Sequence, residues 1–437
     1  MKNLGCIIRL SYLLPLFSLL SFFTLCSEPF QVNIEGEAAI LMNAETGTIL
    51  FEKNARTALY PASTTKVATA LYALKTCDSE VLDIPIKVEA NALICTSQEQ
   101  KLRSKDPNAA YWLETDGMHI GLKEEEELTL RDLLKGMLIP SGNDAANMIA
   151  CFVGGTIPNF MQQLNRYLKE IGCYQTHFCN PHGLHYPQHQ TTAYDLALIT
   201  CEALKNPVFC EIVSQTRFVR PKTNKQKAVT LLQTNRLLRP GNLYYSKAVG
   251  VKTGYHARAK HAFIGAARFQ ERTLIAVLLG CPNRKKMFEE ATLLFERAFN
   301  QPKVKLLLLK AGVQEFKQQL PQAKQSLLTY LDRDLSLTYY PAENPQPKCL
   351  LYWNVPSLPI QEGQKVGELH LVSSVNGEIL KKAPLLALEK VNLKWPYDWI
   401  NNFKQFIHNY PNLAKMILGF LLMILLGGGW LIWKTVR

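Results

Sequence analysis

The segment at residues 60–67, Tyr-Pro-Ala-Ser-Thr-Thr-Lys-Val, restricts the fold more than any other part of the chain. Pro61 is favoured in the first turn of a helix. Apolar side chains then recur at spacings of three and four, which predicts a helix with one buried face: Val67, Leu71 and Leu74. Ser63 opens this helix, and Lys66 shares its face, so the lysine amine is expected to reach the serine hydroxyl. A helix N-terminus also offers free N–H groups where negative charge develops at an attacked carbonyl.

A serine and a lysine three residues apart are common on surface helices, where the serine caps the helix and the lysine is solvated. Two later segments change that interpretation. Residues 140–144 read Pro-Ser-Gly-Asn-Asp, and residues 251–254 read Val-Lys-Thr-Gly. Ser-x-x-Lys, a serine-to-asparagine segment and Lys-Thr-Gly occur together in serine enzymes that are acylated by peptides or β-lactams. All three are present here in that order, which indicates an acyl-transfer site.

The second motif is predicted to lie in a tight loop between two helices. A helix that begins at Thr129 ends at Pro140, and helical composition resumes after Asn143. Such a loop presents short polar side chains at a fixed point, and Gly142 permits close backbone approach. Ser141 and Asn143 are therefore candidate catalytic residues, with simple helix capping as the alternative.

The third motif is predicted at the end of a β-strand. Residues 247–253 have strand character, residues 254–260 form a turn, and two further strands follow. Short turns between successive strands indicate an antiparallel sheet. Lys252 and Thr253 would face a cleft from this strand end. The alternative is a lysine that only keeps an edge strand soluble.

Other segments are assigned structural roles. Residues 37–54 are predicted to form an antiparallel hairpin, and the polar residues 91–117 a solvated loop insertion without chemistry. Asp195 has the position of the acidic residue in a helix capping box, so it is not a catalytic candidate. His182, in a Pro-Gly turn, is expected to be structural.

Length and composition allow two folded domains. The chain has 437 residues, of which 47% are hydrophobic and 19% charged, and it can bury more than one core. Residues 301–394 are short strands separated by Pro and Gly, typical of a small β-sandwich. The net charge of +13 suits an anionic partner such as a phospholipid surface or a carboxylate-rich polymer. Nucleic acid is disfavoured because no basic run is interleaved with stacking aromatic residues.

Both ends of the chain have the composition of targeting segments. Residues 1–26 combine a basic start with an apolar run, which predicts a signal peptide; a lipid-modified Cys26 is the minor alternative. Residues 416–433 are apolar with basic flanks, which predicts a transmembrane helix and a cytoplasmic tail. Residues 395–415 mix Trp, Tyr and Phe with Lys and Asn, as expected of a segment at the membrane interface.

Of the 11 cysteines, Cys6 and Cys26 belong to the signal segment, and the rest lie in the exported part. Export permits disulfides, but the remaining number is odd and the spacings match no zinc pattern. The sequence leaves their pairing open. No metal and no cofactor are predicted.

The motifs and the segments around them resemble one known family. Residues 28–300 closely resemble the D-alanyl-D-alanine carboxypeptidases among the low-molecular-mass penicillin-binding proteins. Beyond the motifs, matching segments extend through the domain and more loosely into the tail: 141–145, 178–184, 191–197, 249–255 and 363–369. The resemblance implies an α+β, β-lactamase/transpeptidase-like domain, in which helices cover both faces of an antiparallel sheet and a helical subdomain adjoins it. A small β-sandwich-like domain and the transmembrane helix would follow.

The resemblance also implies a role for each residue of the first two motifs. Ser63 would attack the carbonyl of the penultimate D-Ala of a peptidoglycan stem peptide, release the terminal D-Ala, and form an acyl-enzyme that water hydrolyses. Lys66 would be the base. Ser141 would relay a proton to the leaving amine, while Asn143 would hold Lys66 and the substrate amide.

In the third motif, Lys252 and Thr253 would bind the terminal carboxylate of the substrate, and Gly254 would keep the strand edge open for the peptide. The backbone N–H groups of Ser63 and Tyr255 would form the oxyanion hole. β-Lactam antibiotics would be covalent inhibitors. The resemblance and the terminal segments together place the catalytic domain on the outer side of the bacterial inner membrane.

The chain departs from the family pattern after Lys-Thr-Gly. Residues 255–260 read Tyr-His-Ala-Arg-Ala-Lys, where the family usually has a threonine and then Ala-Gly. His256 and Lys260 therefore bear on substrate handling around this turn rather than on acylation. The family also uses an arginine near the cleft to assist carboxylate binding, and Arg284 is the candidate here.

Other functions share parts of this pattern. A serine β-lactamase needs a glutamate that activates the deacylating water, and no convincing Glu-x-x-x-Asn loop lies between Ser141 and Lys252. A D,D-endopeptidase would use the same bond chemistry on crosslinked peptides. A wall-binding protein with vestigial catalytic groups is disfavoured because the motif residues are intact.

Overall fold

The computed structural model describes residues 32–418 and residue 421. The predicted signal peptide, residues 1–26, lies outside this part of the chain, as does nearly all of the predicted transmembrane segment, residues 416–433. No helix within the described residues is both long enough and apolar enough to span a bilayer.

Residues up to 300 contain both helices and strands, with five successive helices between β6 and β7. The strands of this region, in chain order, are β1 Ala38–Asn43, β2 Ile49–Lys53, β3 Pro85–Lys87, β4 Cys95–Thr96, β5 Leu113–Glu114, β6 Glu127–Thr129, β7 Arg217–Arg220, β8 Val229–Leu232, β9 Ala248–His256, β10 Lys260–Phe269 and β11 Arg272–Cys281. The helices are α1 Lys66–Thr76, α2 Gln98–Arg103, α3 Leu130–Leu138, α4 Asn143–Gly154, α5 Ile157–Glu170, α6 Ala193–Ala203, α7 Pro207–Val213 and α8 Arg284–Phe299.

An antiparallel sheet with the order β2-β1-β11-β10-β9 forms the centre of this region. Successive side chains of a strand point to opposite faces. Ile40 and Met42 accordingly join the core that contains α1, α4 and α6, whereas Ala39 and Leu41 pack with α8 on the other face. The predicted antiparallel sheet with helices on both faces is confirmed, as is the hairpin at residues 37–54.

The turn after the Lys-Thr-Gly motif is shorter than predicted. β9 continues to His256 and β10 begins at Lys260, so residues 254–260 are not all turn. Tyr255 pairs with His261 in this ladder. The strand therefore carries the motif through its middle rather than at its end.

The insertion at residues 91–117 is folded against the domain, and the prediction that it is a solvated loop is wrong. Lys101 on α2 is 1% exposed, and its amine lies 3.2 Å from the carboxylate of Glu114. Asn147 on α4 donates to the carbonyl oxygens of Ala92 and Tyr111. The prediction assumed that the charged side chains of this segment are solvated, as Lys and Glu usually are unless they are paired. Here two of them neutralise each other inside the insertion.

Residues 304–387 form sheets of their own, from β12 Val304–Leu309, β13 Gly312–Gln318, β14 Leu327–Leu331, β15 Leu335–Tyr339, β16 Pro347–Trp353, β17 Lys365–Ser373 and β18 Ile379–Ala387. One sheet has the order β13-β14-β18-β17-β16, and β12 pairs with β15. Arg272 links this region to the central sheet, since its guanidinium donates to Glu343 and lies 3.8 Å from the ring centre of Tyr340. Helix α9 Tyr397–Asn409 follows.

No disulfide connects the described cysteines, all of which are free thiols: Cys77, Cys95, Cys151, Cys173, Cys179, Cys201, Cys210, Cys281 and Cys349.

Candidate active site

Ser63 lies in the 3₁₀ turn Ala62–Thr65, which leads directly into α1 at Lys66. The prediction placed Ser63 in the first turn of an α-helix; the observed turn is tighter. Side chains three residues apart eclipse each other in a 3₁₀ turn, and the Lys66 amine is accordingly 2.9 Å from the Ser63 hydroxyl. Ala62, before the serine, has the left-handed φ of 49°, a conformation that non-glycine residues adopt mostly where the surroundings impose it.

The Lys66 amine is fully buried and has two further partners. It lies 2.7 Å from the Asn143 amide oxygen and 2.6 Å from the His182 carbonyl oxygen. A neutral amine has two N–H groups and one lone pair, and these two oxygens accept only. The lone pair is then directed at the Ser63 hydroxyl, as a base requires.

Electrostatics favour that neutral form. Burial lowers the pKa of Lys66 well below its ordinary value, and the positive charge of Lys252 lowers it further, while Asp144 acts in the opposite direction. Burial also lowers the pKa of Lys252, to about 7. Both lysines of the pocket thus have a lowered pKa, and that of Lys252 lies close to neutral pH.

The loop that carries Ser141 and Asn143 joins α3 to α4, as predicted. Ser141 has a φ of 75°, and a Cβ on Gly142 would lie 2.8 Å from the Ile120 side chain. The Asn143 N–H donates to the Met118 carbonyl oxygen, 2.8 Å away. These constraints hold the Asn143 amide against Lys66.

Lys252, Thr253 and Gly254 lie on β9, which passes alongside the Ser63 turn. The Thr253 hydroxyl donates to that of Thr234 at 2.8 Å, and Arg284 donates weakly to the Thr234 carbonyl oxygen at 3.4 Å. A Cβ on Gly254 would lie 2.8 Å from the Ser63 backbone nitrogen. Because glycine has no side chain, β9 and the turn that carries Ser63 can approach each other closely. The prediction gave a different reason for the glycine, namely that it keeps the strand edge open for the peptide.

A loop at residues 178–189 contributes contacts that the motifs do not reveal. The His182 ring lies 3.2 Å from the Tyr111 carbonyl oxygen, while its own carbonyl accepts from Lys66. Gly183, with a φ of +90°, packs so closely that a Cβ would be 1.9 Å from the Ala62 carbonyl oxygen. The His189 ring bonds to the Thr65 hydroxyl at 2.8 Å and accepts from the Cys179 N–H at 3.0 Å. This loop holds the nucleophile turn in place.

The site residues predicted from sequence are thus brought together to different degrees. Direct hydrogen bonds join Ser63, Lys66 and Asn143, while Lys252 acts on Lys66 through its charge and Gly254 packs on Ser63. Two of the predicted residues, Ser141 and Tyr255, form no side-chain hydrogen bond among the described residues. Tyr255 is 62% exposed and stacks on His261, with ring centres 4.5 Å apart.

Three contacts in and around the site escaped sequence reasoning. The His182 carbonyl and the Thr234 hydroxyl belong to residues outside the motifs, although His182 falls in the Asn-Pro-His-Gly-Leu segment that carried part of the family resemblance. Asp195 is more than a capping residue, since its carboxylate accepts from the Thr176 hydroxyl at 2.7 Å. Within the described residues, no group of three or more His, Cys, Asp or Glu side chains is placed to hold a metal ion.

Comparison with known proteins agrees with this geometry. The sequence model of the D-alanyl-D-alanine carboxypeptidase family matches residues 25–283. DacF, a D-alanyl-D-alanine carboxypeptidase of Bacillus subtilis (strain 168), is 30% identical over 366 residues, which cover 81% of this chain and 85% of DacF.

Solved structures extend the comparison to the fold. The carboxypeptidase DacD from Francisella tularensis superposes with a TM-score of 0.56 at 24% identity, over 84% of this chain and 96% of that chain. The DD-transpeptidase of Streptomyces K15 gives a TM-score of 0.53 at 27% identity, over 62% of this chain and 98% of that chain. The fold is that of the β-lactamase/transpeptidase-like penicillin-binding proteins. With the family match over more than half of its length, the chain belongs to the D-alanyl-D-alanine carboxypeptidases and is a serine-type hydrolase.

Proposed function

We propose that Ser63 is the nucleophile that releases the terminal D-Ala from peptidoglycan stem pentapeptides. The observation that carries this proposal is the 2.9 Å contact between the Ser63 hydroxyl and a buried Lys66 amine whose two N–H groups have acceptors elsewhere. Lys66 removes the hydroxyl proton as Ser63 attacks the carbonyl of the penultimate D-Ala. The peptide C–N bond then breaks, and D-Ala leaves as an amine once it has received a proton.

Ser141 acts on the leaving amine, and Asn143 holds Lys66 and the substrate amide. The free Ser141 hydroxyl, two residues before the Asn143 amide that contacts Lys66, is suited to return the proton to the leaving amine. The N–H groups of Ser63 and Tyr255 stabilise the tetrahedral oxyanion, where one donor contributes on the order of 3 kcal/mol to the barrier. Water then hydrolyses the acyl-enzyme, with Lys66 again as the base.

The terminal carboxylate of the substrate binds at Lys252 and Thr253. The protonated Lys252 supplies the charge, and the Thr253 hydroxyl, together with its partner Thr234, supplies hydrogen bonds. Arg284 donates to the Thr234 carbonyl oxygen and adds a further positive charge to this end of the cleft. The requirement for a free carboxyl end separates a carboxypeptidase from an endopeptidase that cuts crosslinked chains.

A serine β-lactamase is the less favoured alternative. The Glu202-to-Asn206 segment has the Glu-x-x-x-Asn spacing, but Glu202 lies near the end of α6 and forms an ion pair with Lys205 at 2.5 Å. It contacts none of the catalytic residues. β-Lactams are accordingly proposed as inhibitors that remain bound to Ser63 for longer than the peptide acyl group.

We further propose that the enzyme works on the outer side of the bacterial inner membrane, after removal of residues 1–26 and anchored by residues 416–433. The exposed aromatic side chains in and just before helix α9 support a position of this helix at the membrane surface. Trp395 is 82% exposed and Trp399 is 62% exposed. Such side chains favour the lipid–water interface.

The test of the catalytic proposal is the variant Ser63→Ala. It is expected to lose covalent labelling by a fluorescent penicillin and to release D-Ala from a stem pentapeptide at least ~10⁴-fold more slowly. Labelling is read by gel fluorescence and D-Ala release by mass spectrometry. Ser214→Ala, which removes an exposed hydroxyl after α7, serves as the control with unchanged rates. Labelling retained by Ser63→Ala would exclude Ser63 as the nucleophile.

A further inference from the structure

Three aromatic rings form a cluster beside the nucleophile turn, here called the ring cluster: Tyr60, His185 and His256. The rings of Tyr60 and His185 meet edge to face with their centres 4.8 Å apart, and those of His185 and His256 are 5.6 Å apart. Each ring comes from a different part of the site. Tyr60 precedes the Ser63 turn, His185 follows the His182 carbonyl that binds Lys66, and His256 ends β9.

The ring cluster lies on the acyl side of the reaction centre. Along β9, Thr253 marks the carboxylate end of the cleft, and Gly254 packs on Ser63. His256 is two residues further on, which corresponds to ~7 Å of extended strand. A peptide with its carboxyl end at Thr253 and its reacting carbonyl at Ser63, lying along β9, therefore directs the residue before D-Ala-D-Ala towards the ring cluster.

His185 has hydrogen-bonding capacity that the fold does not use. It is 1% exposed, and neither ring nitrogen has a partner among the described residues. A neutral imidazole has one N–H donor and one nitrogen acceptor, and leaving these groups buried and unpaired costs free energy. By contrast, both ring nitrogens of His182 and of His189 are bonded within the protein.

The charges around the ring cluster are positive. Burial first, and then the charges of Arg258 and Lys101, lower the pKa of His185. Burial first, and then the charges of His185, Lys101 and Arg258, lower the pKa of His256 to about 4. Lys101 is neutralised by Glu114. Arg258 is exposed and forms no ion pair within residues 32–418, so its guanidinium is available to an anion.

We infer that the ring cluster and Arg258 form a specificity subsite for a side-chain carboxylate on the residue that precedes D-Ala-D-Ala in the substrate. The carboxylate accepts a hydrogen bond from the unpaired His185 N–H and pairs with the Arg258 guanidinium. Its entry separates the partly exposed rings of Tyr60 and His256, which otherwise cover His185. The inference rests on the proposed carboxypeptidase function and adds the chemical class of substrate that is preferred.

The test compares two synthetic N-acetyl tripeptides that end in D-Ala-D-Ala. One begins with L-2-aminoadipate and the other with its side-chain amide, which has the same length and no charge. For the wild-type protein we expect kcat/KM to be about tenfold higher for the acid, in line with a charge-assisted hydrogen bond. His185→Phe, which keeps a ring of similar size, and Arg258→Gln, at an exposed position, are each expected to bring the acid-to-amide ratio close to one.

The matched control is Arg166→Gln, which removes an equal charge from the exposed face of α5 and is expected to preserve the tenfold ratio. Arg258→Gln keeps the test valid if His185→Phe fails to fold. Equal kcat/KM values for acid and amide in the wild type would overturn the subsite alone. Failure to hydrolyse either peptide, with penicillin labelling intact, would instead overturn the proposed carboxypeptidase function.

Discussion

Two lysine amines in one pocket need opposite protonation states for the proposed reaction. Lys66 has to be neutral to accept a proton, whereas Lys252 has to be charged to bind a carboxylate. Burial and then the positive charge of Lys252 lower the pKa of Lys66 well below its ordinary value, which favours the neutral amine. The charge of Lys252 thus supports the role of Lys66, and this charge is present only below the pKa of Lys252.

This coupling predicts a pH dependence. Lys252 is protonated below its pKa of about 7 and loses its charge as the pH rises through that value. We therefore expect kcat/KM for a D-Ala-D-Ala peptide to fall above pH 7. In Lys252→Arg the guanidinium stays charged, so this alkaline fall should vanish even though the maximum is lower. Profiles measured from pH 6 to pH 9 for both proteins check the assignment, and an identical fall in the variant would remove Lys252 from it.

Sequence reasoning identified these side chains because their types and spacing carry the chemistry. Sequence reasoning could not identify the third hydrogen-bond partner of the Lys66 amine, the His182 carbonyl oxygen. Every residue has a carbonyl group, and this one is 116 positions away from Lys66. The left-handed φ of Ala62 was equally hidden, since alanine has no local preference for it. Both features arise from tertiary packing of the 178–189 loop.

At the scale of elements, α2 and its insertion show where composition misleads. Lys and Glu are almost always exposed, so a segment rich in both appears solvated. Here Lys101 and Glu114 face inward as a pair, and the carbonyl of Tyr111 in the same insertion bonds to His182. The insertion is therefore a wall of the catalytic region.

Removing one member of the buried pair is expected to be costly. Glu114→Gln leaves the Lys101 charge without a partner, and we expect the free energy of unfolding to fall by about 3 kcal/mol. The matched control is Glu99→Gln on α2, the helix that carries Lys101. It breaks the exposed pair between Glu99 and Arg103 and should cost less than about 0.5 kcal/mol. Urea unfolding followed by circular dichroism measures both. Similar losses in the two variants would mean that the buried pair contributes no more than a surface pair.

At the scale of the whole molecule, the layers were expected from the family resemblance, which implied an antiparallel sheet with helices on both faces. Apolar spacing on its own predicted single elements such as helix α1. The link between the central sheet and the later strands was not predictable, since it depends on Arg272 meeting Glu343 and Tyr340, about 70 positions away. Single long-range contacts of this kind leave no periodic signal.

The proposed anchor can be tested by ending the chain after residue 394. Because the truncation removes α9 and residues 416–433 but none of the catalytic contacts, we expect a protein that leaves the membrane fraction and is acylated by penicillin at the full-length rate. Fractionation and labelling kinetics provide the two measurements, with the full-length chain as the control. A truncated protein that stays with the membranes would point to another anchor.

The free thiols of the described region have a practical consequence. Since no disulfide joins the described cysteines, packing, hydrogen bonds and ion pairs stabilise the catalytic fold without a covalent cross-link. We therefore expect the described region to fold in a reducing cytosol and to keep its fold in a storage buffer that contains dithiothreitol.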